Sequence, residues 1–288
     1  MQTPVPQFLY GILGTPLGHS LSPRLHHRAF RLLHHAGAYF AWEKTASELE
    51  AFFRAVRNLP ISGLSVTLPH KETVIPFLDG LCPRAERAGA VNTVFWREGR
   101  LLGDNTDVGG FLAPLKKRPN LPQAALILGA GGVCRAALAG LRELDISRII
   151  VAARDPSKAG QLAQDFHCSV IPWEERETST LAMRPLLVIN ATPLGMSGAG
   201  QEQSPVPENL WAMLAAGGKG GDSLAYDLVY SPPRTLFLSQ AEARGIPVLN
   251  GLDFFVSQAA EQLRLWTGRA LPDNMEEEIR RIVESCMH

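Results

Sequence analysis

The stretch Leu126-Ile127-Leu128-Gly129-Ala130-Gly131-Gly132-Val133-Cys134-Arg135-Ala136-Ala137 constrains this chain more than any other. Its apolar start reads as a strand, its glycines as a tight turn and its small residues as the opening of a helix. Gly129 permits the turn, and Gly131 and Gly132 let the backbone approach a pyrophosphate, with Ala130 and Val133 in the same cradle. The helix beyond offers N–H groups and a positive dipole end to an anion. Cys134 occupies the place of the third glycine in the usual G-x-G-x-x-G pattern. A strand before, a helix after and a further strand at Arg148–Ala152 make this a dinucleotide-binding βαβ unit; the competing reading is a turn that binds nothing.

The rest of the second half keeps the same rhythm. Ser169–Ile171, Leu186–Ile189, Leu224–Leu228 and Pro247–Leu249 read as further strands, most followed by a helix or loop. That alternation predicts parallel strands with crossover helices. In the first half, Phe8–Leu13, Tyr39–Glu43 and Ile61–Val66 read as strands, with helices at Pro23–Leu33 and Ser47–Asn58 between them. Val91–Trp96 and Arg100–Leu102 form a hairpin through Glu98-Gly99. Pro119–Pro122 reads as a linker, Gly198–Pro207 and Ala215–Gly221 as loops, and Phe254–Trp266 and Asn274–Ser285 as closing helices. The expectation is a two-domain α/β chain. Residues 1–107 with helices from 251–288 form an N-terminal α/β domain, and residues 108–250 form a Rossmann-like dinucleotide-binding domain. The active site is expected in the cleft between them.

The end of the second Rossmann strand chooses the dinucleotide: an acidic residue there holds a ribose 2′-OH, an arginine a 2′-phosphate. Here it reads Ala153-Arg154-Asp155-Pro156-Ser157-Lys158. Arg154 and Lys158 favour NADP, because a guanidinium pairs well with phosphate. Asp155 points towards NAD unless its role is to cap the next helix, with Pro156 at the first helical position.

The first half carries a second set of polar loop segments. Gly18-His19-Ser20-Leu21-Ser22-Pro23 places two hydroxyls at a strand-to-helix loop, where they suit a carboxylate, although Ser22 is also a good N-cap. In Ser65-Val66-Thr67-Leu68-Pro69-His70-Lys71, Lys71 is expected at a helix start, where its charge opposes the dipole. Asn92, Thr93 and Asn105-Thr106-Asp107 add amides and a carboxylate; Asp107 is either the partner of Lys71 or the cap of a helix beginning near Val108. Together they suit a small polyhydroxylated carboxylate.

Composition narrows the class. The 28 basic and 28 acidic residues cancel, so a broad basic surface for nucleic acid or anionic lipid is not expected. Cys82, Cys134, Cys168 and Cys286 lack metal-knuckle spacing and read as reduced thiols of a cytoplasmic protein. His26, His27, His34 and His35 share a helix but lack a carboxylate partner, so no metal is expected. No signal peptide and no membrane span is read, the apolar run from Ala124 stopping at Arg135.

These segments, taken in order, resemble the shikimate dehydrogenase family over nearly the whole chain. The similar segments are the Gly18–Pro23 loop, Ser65–Lys71, Ala88–Thr93, Asn105–Asp107, Asn190-Ala191-Thr192-Pro193-Leu194-Gly195-Met196, Asp227-Leu228-Val229-Tyr230 and Gln258. The resemblance implies reversible NADPH-dependent reduction of 3-dehydroshikimate to shikimate, on the route to chorismate and the aromatic amino acids. It implies Lys71 and Asp107 as the catalytic pair. Ser20, Ser22 and Tyr230 would lie at the substrate carboxylate, and Thr67, Asn92 and Gln258 at its hydroxyls. Gly129, Ala130, Gly131, Gly132, Val133, Arg154, Lys158, Asn190, Thr192 and Gly251 would bind NADP. The partners implied are small molecules only, with no nucleic acid or membrane, in a monomer or homodimer.

Three departures stand out. Ser65 replaces the family's usual Asn, Ala153-Arg154-Asp155 replaces Asn-Arg-Thr, and Phe254-Phe255 replaces a Met-Leu pair. Ser65 and Asp155 keep an NAD-preferring quinate/shikimate dehydrogenase open. A dinucleotide-binding regulatory module without turnover is the alternative of a different class.

Overall fold

The structure is a computed structural model that describes residues 5–18, 20–177, 185–198, 200–215 and 223–286. It divides into two compact units, Met1–Thr106 with Val256–His288, and Asp107–Phe255.

The first unit is built on a mixed sheet of β1 (Phe8–Gly14), β2 (Gly37–Glu43), β3 (Ile61–Val66), β4 (Gly80–Leu81), β5 (Thr93–Arg97) and β6 (Arg100–Asp104), in the order β2-β1-β3-β5-β6-β4. β1 lies parallel to both β2 and β3, as strands joined by crossover helices must. Those helices are α1 (Ser22–Leu32) and α2 (Leu49–Asn58). α2 buries Leu49, Phe52, Phe53 and Val56, one helical face, on Leu13, Leu64 and Val66 of the sheet. Each such side chain contributes roughly 1.5–3 kcal/mol on burial. β5 and β6 form the expected hairpin, its corner made by Glu98 and Gly99, both at positive φ. A short α3 (Pro83–Ala88) precedes β5. At the end of the chain come α9 (Gly251–Thr267) and α10 (Met275–Cys286). The indole of Trp266 in α9 donates to the Val94 carbonyl at 3.0 Å, and α10 packs on α1 through Met275, Ile279, Ile282 and Val283.

The second unit holds β7 (Ala124–Leu128), β8 (Arg148–Ala153), β9 (Ser169–Pro172), β10 (Leu187–Asn190), β11 (Leu224–Asp227) and β12 (Val248–Leu249), all parallel, in the order β12-β11-β10-β7-β8-β9. β7 is central and buried at every residue, which is why it reads as an unbroken apolar run. The order reverses between β7 and β10, and the carboxyl ends of strands at such a switch point are where α/β sheets take ligands. α4 (Thr106–Lys116), α5 (Gly132–Glu143), α6 (Pro156–Phe166), α7 (Glu208–Ala215) and α8 (Leu236–Glu242) complete the elements. Leu126, Leu128, Val188, Leu210, Trp211 and Phe237 centre the core.

Several local expectations change. Ser22 is the first residue of α1 rather than its cap: Leu21 holds the cap position in helical conformation, with a side chain that has no hydrogen-bonding group. Lys71 lies in consecutive turns ahead of a short 3-10 segment, not at an α-helix start; the β-branched run Thr73-Val74-Ile75 and Pro76 disfavour a regular helix there. α4 starts at Thr106 rather than near Val108, so Asp107 sits inside the first turn and not at the cap. α9 starts at Gly251, three residues earlier than read. The expected loop at Ala215–Gly221 lies, beyond Ala215, outside the described residues, as does His19.

Candidate active site

In the first unit, backbone hydrogen bonds gather segments far apart in sequence. The amide of Thr67, just past β3, donates to the Leu13 carbonyl of β1 at 2.9 Å. The Lys71 carbonyl accepts from Val91 at 2.7 Å, and the Asn92 carbonyl from Val66 at 2.7 Å. Half-buried Thr67 and Lys71 and buried Asn92 are thus drawn together. The Ser20–Ser22 loop follows β1. Its Leu17 amide donates to Glu43 Oε1 of β2 at 2.6 Å, and the Ser22 amide donates to Ser20 Oγ at 3.3 Å.

Asn92 organises the start of α4. Its Oδ1 accepts the Thr106 amide at 2.7 Å and the Thr93 hydroxyl at 2.8 Å, while its Nδ2 donates to Thr106 Oγ1 at 2.9 Å. An otherwise orphaned helix N–H is satisfied in this way. Asp107 follows in the first turn, where a negative charge suits the dipole.

Behind Asn92 lies a buried chain of polar groups. Gln262 of α9 donates to the Asn92 carbonyl at 3.2 Å and to Thr93 Oγ1 at 3.0 Å. Its Oε1 accepts from Ser65 Oγ at 3.0 Å, and Ser65 Oγ accepts from the Tyr39 hydroxyl at 2.7 Å. Burial pushes the Tyr39 phenol above its usual range, against the opposing effect of its hydrogen bonding with Ser65 and Ser22. His26 stacks on Tyr39 at 4.6 Å and is pushed down by burial to about 3, so it is a neutral packing residue. The Asn-to-Ser departure at Ser65 therefore has a local context: its hydroxyl both donates and accepts inside this chain. Gln258, one turn before Gln262 on α9, is buried as well. A second cluster braces the same strand end. Arg84 of α3 pairs with Asp104 at 2.9 Å and with Glu261, and Asp104 Oδ1 accepts the Asn105 amide at 2.7 Å.

In the second unit, the glycine turn joins β7 to α5. Gly129 has φ +107°, and a Cβ there would lie 2.9 Å from the Ala191 carbonyl oxygen, so glycine is required. Gly131 differs: among the described residues no atom lies within 4 Å of where its Cβ would be. Gly132 opens α5, Ala130 and Val133 flank the turn half-buried, and buried Cys134 fits under it in place of the third glycine. Gly131, the cap residue of α5, contributes no side-chain hydrogen bond to the helix start. The turn thus leaves space over helix N–H groups, a cradle for phosphate.

Past β8, the Asp155 carboxylate accepts the Ser157 and Lys158 amides at 3.0 and 3.2 Å. It caps α6. Arg154 and Lys158 are exposed beside it. Asn190, at the end of β10, is buried; its Nδ2 donates to Asp227 Oδ1 and to the Leu194 carbonyl, both at 3.0 Å, and its Oδ1 accepts from the Thr192 amide and hydroxyl. Its carboxamide therefore shapes the loop that presents Thr192. Tyr230 stacks on Phe255 with ring centroids 4.1 Å apart, which gives the Phe254-Phe255 departure a packing role. A Cβ on Gly251 would lie 2.4 Å from the Val229 carbonyl oxygen, so this position brings α9 against the segment carrying Tyr230. The cradle and the exposed Arg154 fit a dinucleotide bearing a 2′-phosphate.

A family model described as the shikimate dehydrogenase substrate binding domain matches residues 12–94, and one described as the shikimate 5′-dehydrogenase C-terminal domain matches residues 251–284. A shikimate dehydrogenase (NADP(+)) of Oleidesulfovibrio alaskensis is 48% identical over 268 residues, covering 93% of this chain and 92% of that one. The chain belongs to the shikimate dehydrogenase family. Among solved structures it is similar to shikimate 5-dehydrogenase from Thermus thermophilus, determined in complex with NADP(H) and shikimate. That likeness has 39% identity and a TM-score of 0.78, and covers 96% of this chain and 99% of that one. It is also similar to shikimate 5-dehydrogenase from Listeria monocytogenes in complex with shikimate and NAD, with 28% identity, a TM-score of 0.85, and 98% and 99% coverage. The first family match spans Ser20, Ser22, Thr67, Lys71 and Asn92, and the second spans Gly251 and Gln258. Tyr39 and Gln262 join the polar network without having been singled out in the sequence, whereas Thr106 had been named only within its motif segment. Gln262 carried a usable signal, since it lies four residues after Gln258 on the same helical face.

Proposed function

We propose that this chain is an NADP-dependent shikimate dehydrogenase that interconverts 3-dehydroshikimate and shikimate, with Lys71 and Asp107 as its catalytic pair. The observation that carries the reading is the buried Asn92–Thr106 arrangement, which fixes the start of α4 just before Asp107, while the neighbouring Val91 amide ties down the Lys71 carbonyl. Bound NADPH supplies the hydride. Lys71 Nζ donates a proton to the substrate carbonyl oxygen during reduction and takes it back during oxidation. Asp107 orients the Lys71 ammonium. Ser20 and Ser22 hold the substrate carboxylate with Tyr230, and Thr67, Asn92 and Gln258 bind its hydroxyls, so that one carbon faces the cofactor.

The cofactor reading is supported by Asp155. Its carboxylate is engaged in capping α6, which removes the main argument for a ribose 2′-OH partner, whereas Arg154 next to it suits a 2′-phosphate. The glycine turn, Thr192 and Lys158 complete the dinucleotide set. The neutral charge balance supports small molecules as the partners, the four free cysteines support a cytoplasmic enzyme, and the assembly proposed is a monomer or homodimer. Among the described residues, no helix is long and apolar enough to cross a membrane.

Initial rates with shikimate and quinate, each with NADP and NAD, test the reading. Shikimate with NADP is expected to give the highest kcat/KM. Quinate with NAD as the best pair would replace it by the broader enzyme. Cofactor binding without turnover in any pairing would point to a regulatory module.

A further inference from the structure

A tryptophan lies beside the motif arginine. β8 and β9 pair with Ala153 opposite Pro172, so the next residues, Arg154 and Trp173, leave neighbouring strands side by side at their carboxyl ends. The Arg154 guanidinium lies 6.0 Å from the centroid of the Trp173 ring, at the outer limit of a cation–π contact. The indole cannot easily follow a moving arginine. Trp173 packs against the core cluster of the second unit and opens a short 3-10 turn, Trp173–Glu175. Arg176 closes that turn: its Nη1 donates to the Trp173 carbonyl at 2.6 Å and its Nε to the Pro205 carbonyl at 2.7 Å, with its guanidinium 4.4 Å from the same ring. One arginine thus anchors the indole, while the exposed one rests against it.

We infer that Trp173 is a specificity-determining residue, holding the Arg154 guanidinium as a preformed socket for the cofactor's 2′-phosphate. The inference rests on the NADP reading above. An exposed arginine loses side-chain entropy when it binds a phosphate. A ring that already restrains the guanidinium lowers that cost only for ligands the guanidinium touches. The contribution is therefore selective for the 2′-phosphate and leaves the adenosine and 5′-phosphate unaffected.

The test is calorimetric titration of the full chain with 2′,5′-ADP and with 5′-AMP, which needs no turnover. Trp173→Leu keeps an apolar side chain on the core and removes the ring. It is expected to weaken 2′,5′-ADP roughly two- to fivefold while 5′-AMP binds as in the parent. Trp173→Phe, with a weaker ring, falls between. Equal weakening of both nucleotides would make Trp173 an adenine platform or a packing residue and overturn the inference, as would no change in either. Arg154→Ala is the control and should abolish the preference for 2′,5′-ADP. A parent chain with no such preference sinks the NADP reading and this inference with it, whereas an intact parent preference with an unselective Trp173 effect sinks the inference alone. If thermal melts show that Trp173→Leu does not fold, Trp173→Phe carries the same comparison: selective loss supports the socket and equal loss overturns it.

Discussion

Asp227 holds the loop side of β11 through three donors and is fully buried: the Asn190 amide, the Val229 amide and the Thr235 hydroxyl all point at its carboxyl. Burial nonetheless dominates, and the carboxyl is pushed up from 3.8 to about 7. A folded-state value above the unfolded one means that stability is fully present below the unfolded value and is lost as pH rises through the folded one. The window runs from about pH 4 to pH 7. At 1.36 kcal/mol per pKa unit the whole loss approaches roughly 4 kcal/mol, of which roughly 2.5 kcal/mol falls between pH 5 and pH 8. Asp227→Asn removes the titration and keeps the shape. The amide oxygen still accepts from Asn190 and Val229, and the new NH2 finds Thr235 Oγ1 as acceptor. Urea unfolding of both proteins at half-unit pH steps from 5 to 8 measures the difference. The variant should gain on the parent as pH rises, by roughly 2.5 kcal/mol over that span. Parallel profiles, or a parent that gains on the variant, would refute the account of this carboxyl.

Lys71→Ala should lower kcat by about 100-fold or more with little change in the KM for shikimate, measured at saturating NADP; a near-normal kcat excludes the proton-transfer role. Gly129→Ala places a Cβ 2.9 Å from a carbonyl oxygen at a φ of +107° and should cost about 2 kcal/mol or more of stability together with dinucleotide affinity, read by melts and fluorescence titration. Arg84→Met leaves the Asp104 and Glu261 carboxylates facing each other without their guanidinium. It should destabilise by about 2–3 kcal/mol, with a deficit that grows with pH, because burial already pushes the Glu261 carboxyl up and protonation relieves the repulsion in acid. Asp155→Ala should cost about 1 kcal/mol of stability as a lost cap and leave the ratio of kcat/KM for NADP over NAD unchanged; a shifted ratio would give Asp155 a direct role in cofactor choice.

The second unit was the more legible half. Its central strands are buried on both faces, so Ala124–Leu128, Leu187–Asn190 and Leu224–Asp227 stand out as apolar runs, and the glycine turn marks which of them comes first. Two-residue strands such as β4 and β12 cannot be seen that way, because no periodicity fits in two residues. In the first unit the motif segments were visible one by one, but the cap at Ser22, the α-helix start at Lys71 and the competing cap reading at Asp107 did not form. Short-range rules of capping and dipole missed that the start of α4 answers to a distant side chain. Asn92 reaches Thr106 across 14 residues, and Gln262 reaches Asn92 across 170. The Ser65 departure is the sharpest case. Beside the family pattern it reads as a missing amide, yet in the fold Tyr39 and Gln262 occupy both roles of its hydroxyl.

The two units solve the same problem with the same residue type. Each must hold an irregular loop at the ends of its strands, where ladder hydrogen bonds have run out. Asn92 does so for the start of α4 and Asn190 for the Thr192 loop, each accepting a backbone N–H at Oδ1 and donating from Nδ2. An aspartate could accept but not donate, and would bring a buried charge; a leucine would orphan at least two buried polar groups, at roughly 1–3 kcal/mol each. The amide is the one side chain of that size that serves both directions without charge.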